Sequence, residues 1–223
     1  MSIFTKSVRK SNTTKYQLNS SLNEQLSILL VEKGVDQKSL LTRSLVDFGY
    51  QVIKHSYQND NIIEQIELYN PNILILATDL PSNSILRSLS EVNQLLPLPI
   101  IIFAENDSPN VIKKAIKSGV SAYIVSEIHP QRIKSIISVA NERFKAVESL
   151  KNELKQAKTQ LESRKLIERA KGLLMEQKQL TEKESYEALR KMAMNQGSTL
   201  AMVAKNIIDV CSLLSAPNIT KTI

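Results

Sequence analysis

Between residues 26 and 144 short apolar runs alternate with stretches of helical spacing, and this alternation restricts the fold more than any other feature of the chain. Leu26–Val31, Ile73–Thr78 and Pro99–Ala104 are almost unbroken in apolar side chains. A strand with one wet face would alternate polar and apolar residues, so such runs predict strands covered on both faces. Gln51–His55 and Ala122–Val125 bring the strands to five. Lys38–Phe48, Ile62–Tyr69, Asn83–Leu96 and Asn110–Ser118 carry helical spacing between them, and a last helix begins at Pro130. Gly119 ends one of these helices, where a left-handed cap is easiest without a Cβ. The expectation is an α/β unit, a doubly wound five-stranded parallel sheet with helices on both faces.

Composition narrows the rest. With 223 residues the chain fits one large domain or two small ones, and 42% hydrophobic residues suffice for packed cores. The net charge of +7 favours an acidic partner such as nucleic acid. A single cysteine, Cys211, excludes an internal disulfide and sits on an apolar helix stripe, as core filler would. Apolar runs such as Ile28–Val31 and Leu98–Ala104 are too short to span a bilayer, and the N-terminus has no apolar segment of signal-peptide type. A cytoplasmic protein without membrane contact is expected. Residues 1–24 are rich in Ser, Thr and Asn, and Lys6, Arg9, Lys10 and Lys15 meet no acid before Glu24. They read as a flexible tail or as a basic arm with non-specific RNA affinity. No Gly-rich phosphate loop occurs, and His55 and His129 are far apart without a partner motif, so neither an enzyme nor a cofactor is expected.

The strand and turn order of residues 25–144 resembles the receiver domain of bacterial response regulators. Ile28–Val31, Pro71 to Pro81, Pro99 to Ala104 and Gly119–Tyr123 carry the likeness. A working receiver needs a carboxylate nucleophile ending the third strand and acids after the first strand to hold Mg²⁺. It also needs a hydroxyl ending the fourth strand and a lysine ending the fifth. Here those positions hold Ala77, then Glu32 with Lys33, then Ala104, then Ser126. Alanine cannot accept a phosphoryl group. Asp79, two residues on, is either a displaced acceptor or a turn residue before Pro81. The expectation is an unphosphorylated pseudo-receiver with no metal site, and Tyr123 is either a switch aromatic or an ordinary strand residue.

From residue 145 to 163 Val147, Leu150, Leu154, Ala157 and Leu161 fall on heptad a and d positions. They predict a helical linker that either pairs as a coiled coil in a homodimer or packs on its own domains. Three more amphipathic helices follow in residues 164–215, before a tail at 216–223. The first carries Leu166, Ile167, Ala170, Leu173 and Leu174 on one stripe, with Lys165, Arg169 and Gly172 on another face. Gly172 costs about 1 kcal/mol in mid-helix, which close helix packing or an approaching RNA would justify. The second opens with the capping box Thr181–Glu184, buries Tyr186, Leu189 and Ala193, and ends at Gly197. The third uses Leu200, Val203, Ala204, Ile207, Cys211 and Leu214.

The runs Ala170–Met175, Arg190–Met194 and Leu200–Ala204, in that order and spacing, resemble the ANTAR domain, an RNA-binding three-helix module of bacterial antiterminators. Ser185 departs from it, since the family more often has Ala before the aromatic. The resemblance implies contacts to RNA from Lys165, Arg169, Lys171, Gly172, Arg190, Lys191, Met194 and Lys205. A degenerate receiver, a helical linker and an ANTAR module together resemble the NasT-like and AmiR-like antiterminator families. Ser118–Val125, Arg169–Met175 and Ala188–Met194 lie closest to the NasT-like one. That resemblance implies control of nitrate and nitrite assimilation genes through stem-loops in leader mRNA. It also implies a cytoplasmic nitrate-sensor partner that resembles a periplasmic binding protein. An ANTAR regulator of another operon and a DNA-binding response regulator are the alternatives.

Overall fold

The computed structural model describes residues 26–32, 38–56, 62–125 and 129–214. Both expected tails, Lys33 and Ser126 lie outside the described residues. The chain divides into two compact units between Ala146 and Val147.

In the first unit the strands are β1 (Ser27–Glu32), β2 (Gln51–Ser56), β3 (Ile73–Thr78), β4 (Ile100–Ala104) and β5 (Ala122–Val125). The helices are α1 (Lys38–Asp47), α2 (Ile62–Tyr69), α3 (Asn83–Leu95), α4 (Pro109–Lys117) and the start of α5 (Pro130–Lys178). The sheet order is β2-β1-β3-β4-β5 with every described pair parallel. Alternate residues of each central strand enter opposite cores. Leu29, Val31, Leu74, Leu76, Ile100 and Ile102 meet α2, α3 and α4 on one face. Ile28, Leu30, Ile73, Ile75, Ile101 and Phe103 meet Leu41 and Leu45 of α1 and Ile133, Ile137 and Ala140 of α5 on the other. This double cover is why the runs show no polar alternation. Each such Leu or Ile contributes about 1.5–3 kcal/mol relative to exposure.

Two local devices set the turns at opposite edges of the sheet. Ser82 caps α3 by accepting from the Ile85 N–H. Gly119 turns the chain from α4 towards β5 at φ 90°, and a Cβ there would collide with the Asn93 side chain. The glycine is thus required twice, by backbone conformation and by space.

The second unit contains the rest of α5, then α6 (Glu182–Asn195) and α7 (Leu200–Leu214). No helix boundary separates the expected linker from the first C-terminal helix. Arg164 interrupts only the apolar spacing, and no Gly or Pro intervenes before Gly172, so α5 runs unbroken for 49 residues. The core of this unit joins Ala170, Leu189, Ala193, Val203, Ala204 and Ile208. No helix among the described residues is long and apolar enough to cross a membrane.

Candidate nucleic-acid interface

The C-terminal unit is fixed from its helix ends. Thr181 Oγ1 accepts from the Glu184 N–H at 3.3 Å, and the Glu184 carboxylate accepts from the Thr181 N–H at 2.8 Å. These reciprocal bonds satisfy donors that the first turn of α6 would otherwise leave free. They also hold the Glu184 pKa below its ordinary value, the backbone N–H of Thr181 contributing most.

Lys171 corrects an expectation. It is only 7% exposed, and its ammonium donates to Glu182 Oε1 at 2.7 Å and to both Glu168 oxygens at 2.9 and 3.0 Å. An ammonium has three donors, and these acceptors occupy them all. The Lys171 pKa is accordingly raised, through the bond to Glu182 first and that to Glu168 second, while burial opposes the rise. Lys171 is therefore a clamp between α5 and α6, with its donors taken up by the protein's own carboxylates.

The remaining candidates are exposed, on the outward sides of three helices. Lys165, Arg169 and Gly172 share one stripe of α5, at i, i+4 and i+7. Arg190, Lys191 and Met194 share the outer side of α6, with Met194 72% exposed, and Lys205 stands on α7. Each helix turns its apolar stripe to a common core, so these outward stripes diverge rather than form one plane. A Cβ on Gly172 would meet nothing within 4 Å among the described residues. Close helix packing therefore does not account for the glycine, and its backbone lies open on the cationic stripe.

Tyr186 is a second correction. Placed by sequence on the core face of α6, it is 45% exposed, and Ser185 is the fully buried residue instead. The core stripe of α6 runs Ser185, Leu189, Ala193, at i, i+4 and i+8, which turns Tyr186 aside. It lines a groove of about 700 Å³ together with Leu200 and residues of α5 that include Gln156, Gln160, Arg164 and Ile167. The sequence pattern alone did not reveal this groove. The available signal was that Gln156, Gln160 and Ser163 continue, with helical spacing, the stripe of Ile167, Ala170 and Leu174.

At the C-terminal edge of the first unit's sheet, Glu32 pairs in register with Ala77, and Thr78 with Ala104. Asp79 follows the end of β3, exposed, and its carbonyl accepts from the Glu105 N–H at 3.3 Å and the Asn106 N–H at 3.1 Å. Tyr123 donates its hydroxyl to the Asn106 carbonyl at 2.9 Å. Its pKa is raised by burial, then by Asp107, so the donor proton stays in place. The loops after β3 and β4 are thus bonded to one another, and the position that ends in a nucleophile in working receivers carries a methyl group. Among the described residues no three His, Cys, Asp or Glu side chains are placed to share a metal ion.

Residues 155–208 match the ANTAR domain family, a span that covers the exposed polar stretch of α5 as well as the three-helix core. The transcriptional regulatory protein PdtaR of Mycobacterium tuberculosis is 25% identical over 182 residues, 82% of this chain and 89% of that protein. The nitrate regulatory protein of Klebsiella oxytoca is 32% identical over 80 residues, 36% of this chain and 20% of that protein. Among solved structures, the chemotaxis response regulator CheY4 of Vibrio cholerae is similar at 16% identity and a TM-score of 0.44, covering 52% of this chain and 99% of that one. The family match falls on the helices clamped by Lys171 and capped by Thr181, and it follows a sheet of the order seen here. The chain thus carries, over residues 155–208, a segment that matches the ANTAR domain family.

Proposed function

We propose that this protein binds stem-loops in leader mRNA through its C-terminal unit and acts as a transcription antiterminator. The observation that carries this is the ANTAR match over residues 155–208, in a unit whose outward stripes present Lys165, Arg169, Arg190, Lys191 and Lys205. RNA loops are read through unstacked bases and phosphates, a task for exposed cations beside open backbone such as Gly172. Binding shifts the RNA between antiterminator and terminator only by the difference in affinity for the two folds. Nitrate and nitrite assimilation genes are the proposed targets in the cytoplasm, supported by the likeness to the nitrate regulatory protein of Klebsiella oxytoca. With alanine at position 77, control passes through a sensor partner rather than a phosphoryl group. The proposed partner is a cytoplasmic protein resembling a periplasmic nitrate-binding protein. A homodimer formed along the leucines of α5 would hold two RNA-binding units at high effective concentration, which suits paired hairpins.

A second reading has its own support. The transcriptional regulatory protein PdtaR aligns over most of the chain, whereas the nitrate regulatory protein aligns over 36% of it, which favours an ANTAR regulator of some other operon.

The test is equilibrium binding to the leader RNA of the organism's own nitrate-assimilation operon, beside a loop-scrambled control and duplex DNA at matched salt. Loop-dependent binding, weakened about tenfold or more by combined Arg169→Ala and Arg190→Ala changes, is the expected result. Equal binding to all three nucleic acids would overturn the antiterminator reading. Loop-dependent binding to a different leader would select the second one.

A further inference from the structure

The core-facing stripe of α5 does not stop where the bundle stops. Leu174, Ala170 and Ile167 belong to the apolar core or pack against it. The same stripe continues towards the N-terminus as Ser163, Gln160 and Gln156, at the same spacing but with polar side chains. There it forms one wall of the groove, faced by Tyr186 of α6 and Leu200 at the start of α7. Lys155 and Arg164 also line the groove and are exposed. Glu168, the one acid among the lining residues, is bonded to the Lys171 ammonium, which it shares with Glu182.

From this geometry we infer that the groove receives a single unstacked base of the RNA loop, an inference that rests on the RNA-binding reading above. A nucleobase offers an apolar face and an edge that mixes donors with acceptors. The groove offers the complement. The half-exposed Tyr186 ring and the Leu200 side chain are the surfaces for the face. Gln156 and Gln160 each carry both a donor and an acceptor for the edge. Arg164 and Lys155 are the cations for the flanking phosphates. A helix docking from another protein would instead need apolar anchors, and this stretch of α5 offers glutamines and hydroxyls. The groove is also separate from the leucine stripe. Gln156, Gln160, Ser163 and Ile167 follow Leu150, Leu154, Ala157 and Leu161 at a constant offset of six residues, a rotation of roughly 120° about the helix axis. Pairing along the leucines therefore uses a different stripe of α5, which Gln160 and Ile167 flank.

The experiment uses the full chain with the leader RNA, carrying 2-aminopurine at each loop position in turn. One position should lose emission on binding and keep it with Tyr186→Ala. That variant should bind about tenfold to a hundredfold more weakly, while Tyr186→Phe, which keeps the ring, stays within about threefold of wild type. Gln160→Ala changes an exposed residue and leaves the fold intact. It should reduce the preference for the native loop over one with that base replaced. If wild type binds the loop but Tyr186→Ala and Gln160→Ala bind it equally well, the groove inference is overturned and the RNA reading stands. If wild type does not distinguish loop from scrambled RNA, the RNA reading fails and takes the groove with it. A change in oligomeric state in the groove variants, with RNA affinity unchanged, would also overturn the inference by marking a protein contact.

Discussion

Lys171 and Ser185 show how one side chain can mislead or inform. Lys171 lies within a motif of a nucleic-acid-binding family, yet its ammonium is consumed by Glu168 and Glu182. Glu182 has a lowered pKa through its bond to Lys171, and Glu184 through its bonds to Thr181. Depressed folded-state values mean that both carboxylates contribute fully above the ordinary value near 4.5 and lose that contribution as pH falls through the folded values. The C-terminal helices should therefore weaken in acid below about pH 4.5, and Glu184→Gln should flatten that loss in urea titrations followed by circular dichroism. Lys171 has the opposite sign. Its raised value keeps the clamp complete up to the ordinary lysine range near 10.5 and releases it above. Ser185 carries a different cost. Its hydroxyl is fully buried with no hydrogen-bond partner among the described residues. Ser185→Ala removes an unsatisfied group and adds helix propensity, so it should stabilise the protein by about 1 kcal/mol, read as a higher urea midpoint at constant slope. A lower midpoint would show that the hydroxyl has a partner.

Gly119 joins α4 to β5 at a positive φ and against Asn93, so Gly119→Ala should destabilise the first unit by about 1–3 kcal/mol in the same assay. Such positions are legible in sequence, because a glycine directly after a helical run marks the left-handed turn that ends the helix. The strands of the sheet are legible for a related reason. Burial on both faces removes every polar residue from Ile28–Val31 and Ile73–Ala77, and nothing but a central strand requires that over so short a length. The groove is not legible in the same way. It depends on how far α6 and α7 extend along α5, a tertiary relation that Gln156 and Gln160 do not encode. Lys171 fails for the same reason, since its partner Glu182 is 11 residues away on another helix. The middle of α5 poses the opposite problem, apolar side chains that the described residues leave exposed. Residues 151–162 are all exposed, and Leu154 and Leu161 are more than half exposed. A stripe of leucines at heptad spacing in water calls for a second helix. Wild type should sediment at about twice the 25.1 kDa chain mass at micromolar concentration, and Leu154→Lys with Leu161→Lys should return it to one. A monomeric wild type with unchanged RNA binding would remove the dimer from the proposal.

Taken as a whole, the molecule pairs a parallel sheet covered on both faces with a unit that matches the ANTAR family, and on the proposed reading the question is what the sheet senses. Phosphoryl transfer needs a carboxylate where Ala77 stands. Asp79 lies past the end of β3, in a loop whose backbone bonds to the loop after β4, and Tyr123 holds that second loop through Asn106. These bonds favour one arrangement of the edge, whereas a phosphorylation switch requires two arrangements that the added charge can tell apart. Incubation with Mg²⁺ and acetyl phosphate should therefore leave the intact mass unchanged and the RNA affinity the same before and after. A stoichiometric adduct lost in Asp79→Ala would instead make this edge a displaced phosphoacceptor site. Without such an adduct, the proposed control passes through a molecule that binds the free and RNA-bound chains with different affinity. Linkage then requires that the factor by which this molecule weakens RNA binding be the factor by which RNA weakens its own binding. A sensor that fits the proposal must release the chain as leader RNA is added, in proportion to its own inhibition. One that stays bound at saturating RNA cannot be the control element.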